Sequence, residues 1–342
     1  MILKFDNVSF TYKNDEVNAI KDLSFCVENK SFICIVGESG CGKTTFLKLL
    51  SGVLTPDKGH IYINNEDVTD LTVQSHDIAY VYQGLVLYPH MTVYENILQG
   101  LNGYGLSQEE KMEKVKKYII QFGLENYINF KPRNLSYGQA QKVAICKALI
   151  REPSIMLLDE PLANIDIIQK RGIVNLLKKI YEKSKTTFIY VTHDIGEIEK
   201  IIDEVVIMED GKFVQKGTAK EIRANPSTLK ANYIINRGQI NNLDVMATKG
   251  SIYLNGIAIL ENLQIEDGNY HLVIPYKAIH IANQGLKGAD YSTKLTQKGK
   301  LLITILIGEQ KLNFITDSEE EYKEKDDIYI SIDTTLIKFY KY

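Results

Sequence analysis

The stretch Ser31–Gly52, SFICIVGESGCGKTTFLKLLSG, decides the fold of this chain. Its first part, SFICIVGE, is β-branched and apolar and predicts a buried strand that runs directly into a glycine-rich turn. From Thr44 to Leu50 the pattern becomes helical, and Gly52 fits the position just after a helix end. Between strand and helix, Gly37–Thr45 matches G-x-x-x-x-G-K-[ST] in the context that this motif requires. The stretch therefore predicts a phosphate-binding loop.

The residues of this loop have distinct expected tasks. Its glycines let successive backbone N–H groups turn toward phosphate oxygens, and the helix that follows adds the positive end of its dipole. Lys43 is expected to reach the β- and γ-phosphates and the Thr44 hydroxyl to ligate Mg²⁺, whereas Cys41 is expected to bind through its backbone rather than to sense redox state. The candidate nucleotide-binding residues here are Gly37, Glu38, Ser39, Gly40, Cys41, Gly42, Lys43, Thr44 and Thr45.

A pair of carboxylates supports the phosphate site. The run IMLLDEP predicts a buried strand that ends in Asp159 and Glu160. An acid at the carboxyl end of a parallel strand beside the phosphate loop can hold Mg²⁺. The next acid then faces the γ-phosphate and can polarise the attacking water. The alternative, a surface turn, fits poorly with the apolar approach, so we interpret Asp159 as a metal ligand and Glu160 as catalytic.

Residues 1–235 predict an α/β domain. The run DKGHIYINNEDV predicts a hairpin, and residues 84–150 have the helical period and charge of a helical insert. The nearly continuous apolar runs SIMLLDEP and TTFIYVTHD predict strands buried on both faces of a parallel sheet. A helix from about Gln169 to Lys183 between them completes a βαβ unit.

The texture changes after the proline of RANP, Pro226. Residues 236–342 hold short alternating strands separated by Gly, Asn and Asp turns, and they predict a small all-β domain, either a barrel or a sandwich. Within it, the acidic run Asp317–Asp327 predicts a solvated loop. The predicted fold class is therefore α/β with a helical insert, followed by an all-β domain.

Composition excludes several other classes. The 342 residues carry a net charge of −3 without a block of Lys and Arg, which argues against a nucleic acid as the main ligand. The four cysteines form no C-x-x-C pair, so neither a zinc site nor a disulfide framework is predicted, and reduced thiols in cytosol are expected. We expect neither a signal peptide nor a membrane-spanning segment of about 18 apolar residues. Action at a membrane would then require a partner.

Taken in order, these motifs resemble the ATPase subunit of ABC transporters, a P-loop NTPase fold, over roughly residues 1–225. The resemblance implies that Tyr12 stacks on adenine. It implies that Gln83, in IAYVYQ, senses Mg²⁺ and the attacking water, and that His193, in VTHD, contacts the γ-phosphate. Gln83 is thereby a catalytic and metal-binding candidate, and His193 a catalytic one.

Two further segments carry the resemblance. LSYGQ is similar to the signature motif of the family, which makes nucleotide-binding candidates of Ser136, Tyr137, Gly138 and Gln139. LANID is similar to the loop whose aspartate, here Asp166, crosses the dimer interface. The resemblance implies that two copies of the chain sandwich two ATP molecules, each with Mg²⁺, between Gly37–Thr45 of one copy and Ser136–Gln139 of the other.

The resemblance also implies partners and a location. ATP binding closes the pair and hydrolysis opens it, and integral membrane permease subunits receive this motion near Gln83. A solute-binding protein takes part indirectly, and the chain lies peripherally at the cytoplasmic face of the cell membrane. The all-β domain is expected to be OB-like and to serve dimer contacts and regulation.

The solute class is indicated by one longer match. YQGLVLYPHMTVYENI (82–97) is similar to the corresponding stretch of sugar and glycerol-phosphate importers. The all-β domain departs from that subfamily. Of the segment that sugar importers usually carry there, LVIPYKAI keeps only Pro275 and the apolar residues before it. Open alternatives are a polyamine, iron or oxyanion importer, a soluble ABC ATPase acting on ribosomes or DNA, and a binding-only subunit.

The Tyr in LSYGQ replaces a glycine of the family motif. Ser136 and Gln139 form an S-x-x-Q capping box, which places Tyr137 at the first helical position and Gly138 at the second. The first position has ordinary helical angles, so the backbone does not demand a glycine there. We therefore predict a working phosphate clamp in which Tyr137 borders the nucleotide or turns away from it.

Overall fold

The computed structural model describes residues 1–13, 17–296, 299–316 and 328–342, and the chain divides into two units, 1–222 and 223–342. The acidic run Asp317–Asp327, expected to be a solvated loop, lies outside the described residues. Each unit has its own strands and its own hydrophobic core.

The strands of the first unit are short and mostly buried. In chain order they are β1 (Leu3–Phe10), β2 (Ile20–Val27), β3 (Phe32–Val36), β4 (Lys58–Ile63), β5 (Glu66–Asp67), β6 (Ile78–Val81), β7 (Ile155–Asp159), β8 (Thr187–Thr192), β9 (Glu204–Glu209) and β10 (Lys212–Gly217). Its helices are α1 (Lys43–Leu50), α2 (Val93–Gln99), α3 (Gln108–Phe122), α4 (Tyr137–Leu149) and α5 (Ile167–Lys183).

Two sheets organise this unit. Within its described residues one sheet has the strand order β10-β9-β3-β8-β7-β6, with β10 antiparallel to β9 and the other neighbours parallel. The other sheet, β2-β1-β4-β5, is antiparallel and contains the predicted hairpin of β4 and β5. All residues of β3, β7 and β8 are buried, as their uninterrupted apolar runs predict.

Helix α1 is fixed through one aromatic residue. Phe46 is fully buried, and its ring centroid lies 4.8 Å from that of Phe5 and 5.3 Å from that of Phe213. Complete burial of such a side chain contributes about 1.5–3 kcal/mol. Gly52 follows the helix with φ +73°, which confirms the glycine expected there. The residues just before α1 are thereby held against both sheets.

The predicted helical insert contains α2, α3 and α4. Each begins with a complete capping box, Thr92 with Glu95, Ser107 with Glu110, and Ser136 with Gln139. The helix predicted from about Gln169 begins earlier, at Ile167, because the Asp166 carboxylate caps it and accepts hydrogen bonds from the backbone N–H groups of residues 168 and 169.

The second unit is mainly β structure. After α6 (Ala219–Ala224), which contains the point of division, and α7 (Leu229–Ile235), its strands are β11 (Ile240–Thr248), β12 (Ser251–Leu254), β13 (Ile257–Leu260), β14 (Gly268–Pro275), β15 (Ile279–Ala282), β16 (Leu286–Leu295), β17 (Leu301–Ile307), β18 (Gln310–Thr316), β19 (Ile328–Ile332) and β20 (Lys338–Lys341). In its described residues they form two antiparallel sheets, β13-β12-β11-β14-β20 and β15-β19-β16-β17-β18.

Both sheets share one core, to which β11 contributes through strict alternation of buried and exposed residues. Asn241 joins them, since its side chain donates to the Asn313 carbonyl at 2.8 Å and accepts from the Asn313 N–H at 2.7 Å. The predicted division after residue 235 differs from the observed one because α7 belongs with this unit. The Asn232 side chain of α7 donates to the Tyr340 hydroxyl at 3.1 Å.

Candidate functional site

The phosphate loop lies at the carboxyl edge of the parallel sheet, between β3 and α1. Gly42 has φ +110°, and a Cβ there would lie 2.7 Å from the Ala19 carbonyl oxygen. At Gly37 a Cβ would collide with the Met208 carbonyl oxygen. Only glycine fits either position, because one requires left-handed backbone and both approach another backbone closely. The motif glycines thus give the loop its shape.

Lys43 occupies the centre of the loop. The residue is 7% exposed, and its Nζ donates to the carbonyl oxygens of Gly37 at 2.8 Å and Glu38 at 2.7 Å. Cys41 is also buried and belongs to the hydrophobic core, where burial raises the pKa of its thiol. The Cys41 side chain therefore packs inside the protein, and binding through its backbone stays a prediction.

The hydroxyl groups after Lys43 point in different directions. Thr44 is exposed, whereas Thr45 is buried and its Oγ1 lies 3.1 Å from the Tyr12 hydroxyl. The Tyr12 ring also packs edge-on against Phe10, at 5.0 Å between centroids. Tyr12 is thereby tied to the start of α1, beside the loop.

Three acid–base groups meet at the same sheet edge. Asp159 ends β7, Glu160 follows it, and His193 follows β8. The His193 Nδ1 lies 3.2 Å from Glu160 Oε1. Glu160 has φ +43°, a left-handed conformation that is sparsely populated outside glycine and that clusters at functional sites. The parallel strand ends thus bring His193 to the adjacent pair Asp159 and Glu160, 33 residues earlier in the sequence.

Asp159 is almost completely enclosed. It is 5% exposed, and burial raises the pKa of its carboxyl, while a hydrogen bond from the Tyr80 hydroxyl at 3.1 Å acts in the opposite direction. The neighbouring Glu160 charge also raises this pKa. An ionised carboxylate in this position gains from a nearby cation, because a positive charge compensates the loss of hydration.

These groups open into one cleft of about 720 Å³. Of the predicted site residues, it is lined by Tyr12, Ser39, Gly40, Gly42, Lys43, Thr44, Thr45, Gln83, Asp159, Glu160 and His193. In the described part of the chain, the predicted residues that do not line it are Gly37, Glu38, Cys41, the signature residues 136–139 and Asp166. The structure therefore brings the phosphate loop, the carboxylates, Gln83 and His193 together and leaves the signature residues elsewhere.

Sequence reasoning missed other residues of the cleft wall. They are Val17, Asn18, Ala19, Lys21, Asp210 and Gly211. Backbone hydrogen bonds attach this wall to the loop, since the Gly211 N–H donates to the Cys41 carbonyl and the Lys21 N–H to the Gly211 carbonyl. The Asp-Gly turn between β9 and β10 was visible as a turn signal, but nothing in the sequence connects it to a loop 170 residues earlier.

The signature segment begins α4 as predicted. The Ser136 hydroxyl accepts from the Gln139 N–H at 3.3 Å, the Gln139 side chain accepts from the Ser136 N–H at 2.8 Å, and Tyr137 is the first helical residue. The Tyr137 hydroxyl donates to the Gln83 carbonyl at 3.4 Å. Tyr137 thus contacts the segment that carries Gln83, a contact that the capping argument did not foresee.

Gln169 is a second unforeseen neighbour of the signature segment. The Ser136 hydroxyl donates to Gln169 Oε1 at 3.3 Å, and a Cβ at Gly138 would collide with the same oxygen. Because the Asp166 carboxylate accepts from the Gln169 N–H at 2.9 Å, the residues 136 and 166 are linked through Gln169. No sequence signal singles out this glutamine.

The site combines a buried lysine inside a glycine-shaped loop with two carboxylates and a histidine at the same edge of a parallel sheet. This arrangement defines a P-loop nucleotide site. The family model described as "ABC transporter" matches residues 20–163. A molybdate/tungstate import ATP-binding protein of Pyrococcus abyssi is 32% identical over 99% of this chain and 100% of its own length. The chain therefore belongs to the family of ABC transporter ATP-binding subunits of the import type, and it is an ATPase.

Other relatives differ in the solute that their names state. An Fe(3+) ions import ATP-binding protein of Haemophilus influenzae is 33% identical over 78% of this chain and 82% of its own length. An oligosaccharides import ATP-binding protein of Bacillus subtilis is 35% identical over 75% of this chain and 70% of its own length. Among solved structures, the ATP-binding cassette MJ0796, described as a dimer in a post-hydrolysis state with ADP and phosphate, is 31% identical. It covers 64% of this chain and 98% of its own, with a TM-score of 0.57.

In the part of the chain that the structure describes, no helix is both long and apolar enough to span a bilayer.

Proposed function

We propose that this chain hydrolyses ATP to energise the import of a solute. The observation that carries the proposal is the cleft in which Lys43, Asp159, Glu160 and His193 converge, in a chain whose relatives are import ATP-binding proteins. The Lys43 ammonium binds the β- and γ-phosphates after exchanging its two loop carbonyl partners for phosphate oxygens. The Tyr12 ring stacks on the adenine at the rim of the cleft.

The reacting water is assigned to Glu160. The Glu160 carboxylate accepts a proton from that water as the water oxygen bonds to the γ-phosphorus and the bond from the γ-phosphorus to the leaving oxygen of ADP breaks. His193, 3.2 Å away, orients the carboxylate and contacts the γ-phosphate. Gln83 lines the same cleft and is proposed to contact this water as well. Stabilisation of charge on the phosphate oxygens falls to Lys43 and the backbone N–H groups of residues 37–45.

The donor set fits Mg²⁺. The Thr44 hydroxyl is exposed in the cleft, the Asp159 carboxylate is buried with raised pKa, and Gln83 adds an amide oxygen, all hard oxygen ligands. The described residues contain no cluster of three or more His, Cys, Asp or Glu that could hold a metal. These oxygens are expected to bind the ion together with the nucleotide phosphates. When bound, the ion neutralises phosphate charge.

A second copy of the chain completes each site in this proposal. Ser136–Gln139 and Asp166 lie outside the cleft of their own chain, and Ser136 stands at the positive end of α4, where it can meet an anionic phosphate. The related cassette MJ0796 is described as dimeric. Two ATP molecules are therefore sandwiched, each between the phosphate loop of one copy and the signature segment of the other.

The proposal includes membrane partners. Tyr82 and Val86 are exposed beside Gln83, where integral membrane permease subunits would receive the movement at the cytoplasmic face of the membrane. A solute-binding protein acts through the permease. The all-β unit, proposed to be OB-like, provides regulation and dimer contacts.

The solute is proposed to be a sugar or a related solute, from the similarity of residues 82–97 to sugar importers. An oxyanion is the second candidate. One observation favours it: the similarity to the molybdate/tungstate protein spans 99% of this chain and so includes the all-β unit, whereas that to the oligosaccharide protein spans 75%. ATPase assays of the purified transporter complex would discriminate between these solutes. Turnover is measured with oligosaccharide, molybdate, tungstate or Fe³⁺ in the presence of the solute-binding protein, and the transported solute should stimulate it.

ATPase activity and the sandwich are tested with Glu160→Gln. Turnover is measured with ATP in MgCl₂ and in EDTA, and mass in solution with ATP or ADP. We expect turnover only with Mg²⁺, loss of turnover in E160Q, and an ATP-dependent dimer of E160Q. Glu125→Gln, an exposed residue outside the cleft, is the control and should behave as the parent. An E160Q protein that stays monomeric at saturating ATP would contradict the sandwich, and a parent without turnover would support a binding-only subunit.

A further inference from the structure

Tyr80 connects two neighbouring strands through its side chain. In the parallel pairing of β6 and β7 it lies opposite Leu157, and its hydroxyl donates to Asp159 Oδ2 at 3.1 Å. Among the residues that the structure describes, the Tyr80 hydroxyl is the one group that donates a hydrogen bond to the Asp159 side chain. Since Asp159 is 5% exposed, the Tyr80 hydroxyl replaces hydration that the carboxylate has lost.

The position of the Tyr80 hydroxyl is well defined. The ring stacks on that of Tyr82, with 3.9 Å between centroids and 19° between planes, and it packs against the core of the first unit. A phenol hydroxyl is protonated at neutral pH, so this group is a hydrogen-bond donor. A fixed donor leaves the carboxylate one preferred orientation.

We propose that Tyr80 is a positioning residue for the divalent cation of the nucleotide site. Its hydroxyl engages Oδ2 of Asp159 and thereby presents the carboxylate to the cation in a fixed orientation. The inference rests on the proposed function insofar as that function makes Asp159 a metal ligand. Groups that hydrogen-bond to a ligand in this way typically contribute ~10–100-fold in metal affinity.

The direct test is the affinity for Mn²⁺, measured by electron paramagnetic resonance of the free ion, in the ADP complexes of the parent and of Tyr80→Phe. The variant keeps the ring and its stacking and loses only the hydroxyl. We expect it to bind Mn²⁺ about tenfold more weakly. Its ADP affinity in EDTA should stay unchanged, because no metal is then involved.

Tyr118→Phe is the matched control. The Tyr118 hydroxyl also donates to a carboxylate, that of Glu152 at 3.3 Å, and Tyr118 does not line the nucleotide cleft. This variant should keep parental Mn²⁺ affinity. Mn²⁺ affinity of Y80F within twofold of the parent would overturn the proposal. An equal loss of ADP affinity in EDTA would also overturn it, since that result indicates a packing role.

A double-variant cycle separates orientation of Asp159 from any independent effect. In an Asp159→Asn background the cation has lost its carboxylate ligand, so adding Y80F should change Mn²⁺ affinity less than twofold. A further tenfold loss there would contradict the proposed route through Asp159. The result is distinguishable from failure of the proposed function: a parent without ATP turnover contradicts that function, whereas an active parent with unchanged Mn²⁺ affinity in Y80F contradicts only the role of Tyr80.

Discussion

The phosphate loop and the signature segment are held in place in different ways. Both are proposed to bind ATP. The phosphate loop is fixed by backbone contacts at a buried sheet edge, and its Lys43 is 7% exposed. The signature segment begins α4 at the exposed Ser136, and side-chain hydrogen bonds attach it to two remote segments, at Gln169 and Gln83.

This difference has an energetic consequence. Reshaping the phosphate loop would require disruption of the packed sheet edge, whereas each side-chain hydrogen bond of the signature segment contributes only about 0.5–1.5 kcal/mol. The phosphate-loop cleft is therefore a preformed binding site within one subunit. The signature segment is held by weaker side-chain contacts, which suits its proposed closure on another copy.

The largest expected effect is that of Lys43→Ala. The variant removes the ammonium from the preformed cleft, so we expect turnover to fall at least ~100-fold, together with a clear loss of ATP affinity in the isolated subunit. Lys116→Ala, on the exposed face of α3, is the control. Steady-state turnover and ATP titration of both variants provide the measurement. Parental ATP affinity in K43A would contradict a preformed site centred on this lysine.

Ser136→Ala should affect the signature segment and leave the phosphate loop unchanged. Loss of a hydroxyl that donates to phosphate is worth about 1.5–3 kcal/mol, so turnover should fall ~10–100-fold while the ATP affinity of the isolated subunit stays unchanged. The variant also loses a helix cap, at a cost of ~1 kcal/mol in unfolding free energy.

Ser107→Ala isolates the cost of the cap, because Ser107 forms the same capping box at the start of α3. Thermal unfolding should shift equally in S136A and S107A, whereas S107A should retain parental turnover. If S136A lowered ATP affinity in the monomer as K43A does, the signature segment would belong to the cleft of its own chain.

The same contrast explains what the sequence could predict. Gly37–Thr45 is contiguous, so its residue order specifies strand, loop and helix together, and the prediction of α1 with a following Gly52 is confirmed. The capping box of Ser136 and Gln139 is local and is confirmed as well. Such signals work because the interacting groups lie within a few residues of each other.

Contacts between distant segments could not be predicted in this way. Three hydrogen bonds join groups on different elements, namely Tyr80 with Asp159, Tyr137 with Gln83, and Ser136 with Gln169. Each depends on strand order and helix placement, which the periodicity of one segment does not specify. The α5 helix begins two residues before the predicted start at about Gln169, because the Asp166 side chain caps it.

The contact between Gly138 and Gln169 gives the next prediction. A Cβ at residue 138 would collide with Gln169 Oε1, so Gly138→Ala should displace Gln169 from Ser136 and lower turnover about tenfold. Gln169→Ala alone should lower turnover about threefold, since it removes one acceptor without a clash. The double variant should recover part of the G138A loss, because the methyl group then has room. Additive losses would mean that Gln169 does not orient the signature segment.

The smallest effect is expected at Tyr137. Tyr137→Phe removes a long hydrogen bond of 3.4 Å to the Gln83 carbonyl and keeps the ring, so turnover should change about twofold at most. Tyr137→Gly restores the residue of the family motif but adds backbone freedom at the first helical position, at a cost of roughly 0.5–1 kcal/mol. Turnover of Y137G should stay within about threefold of the parent. A gain above tenfold in Y137G alone would show that the Tyr137 ring obstructs the nucleotide. The same gain in Y137F would instead identify the bond to Gln83 as the restraint.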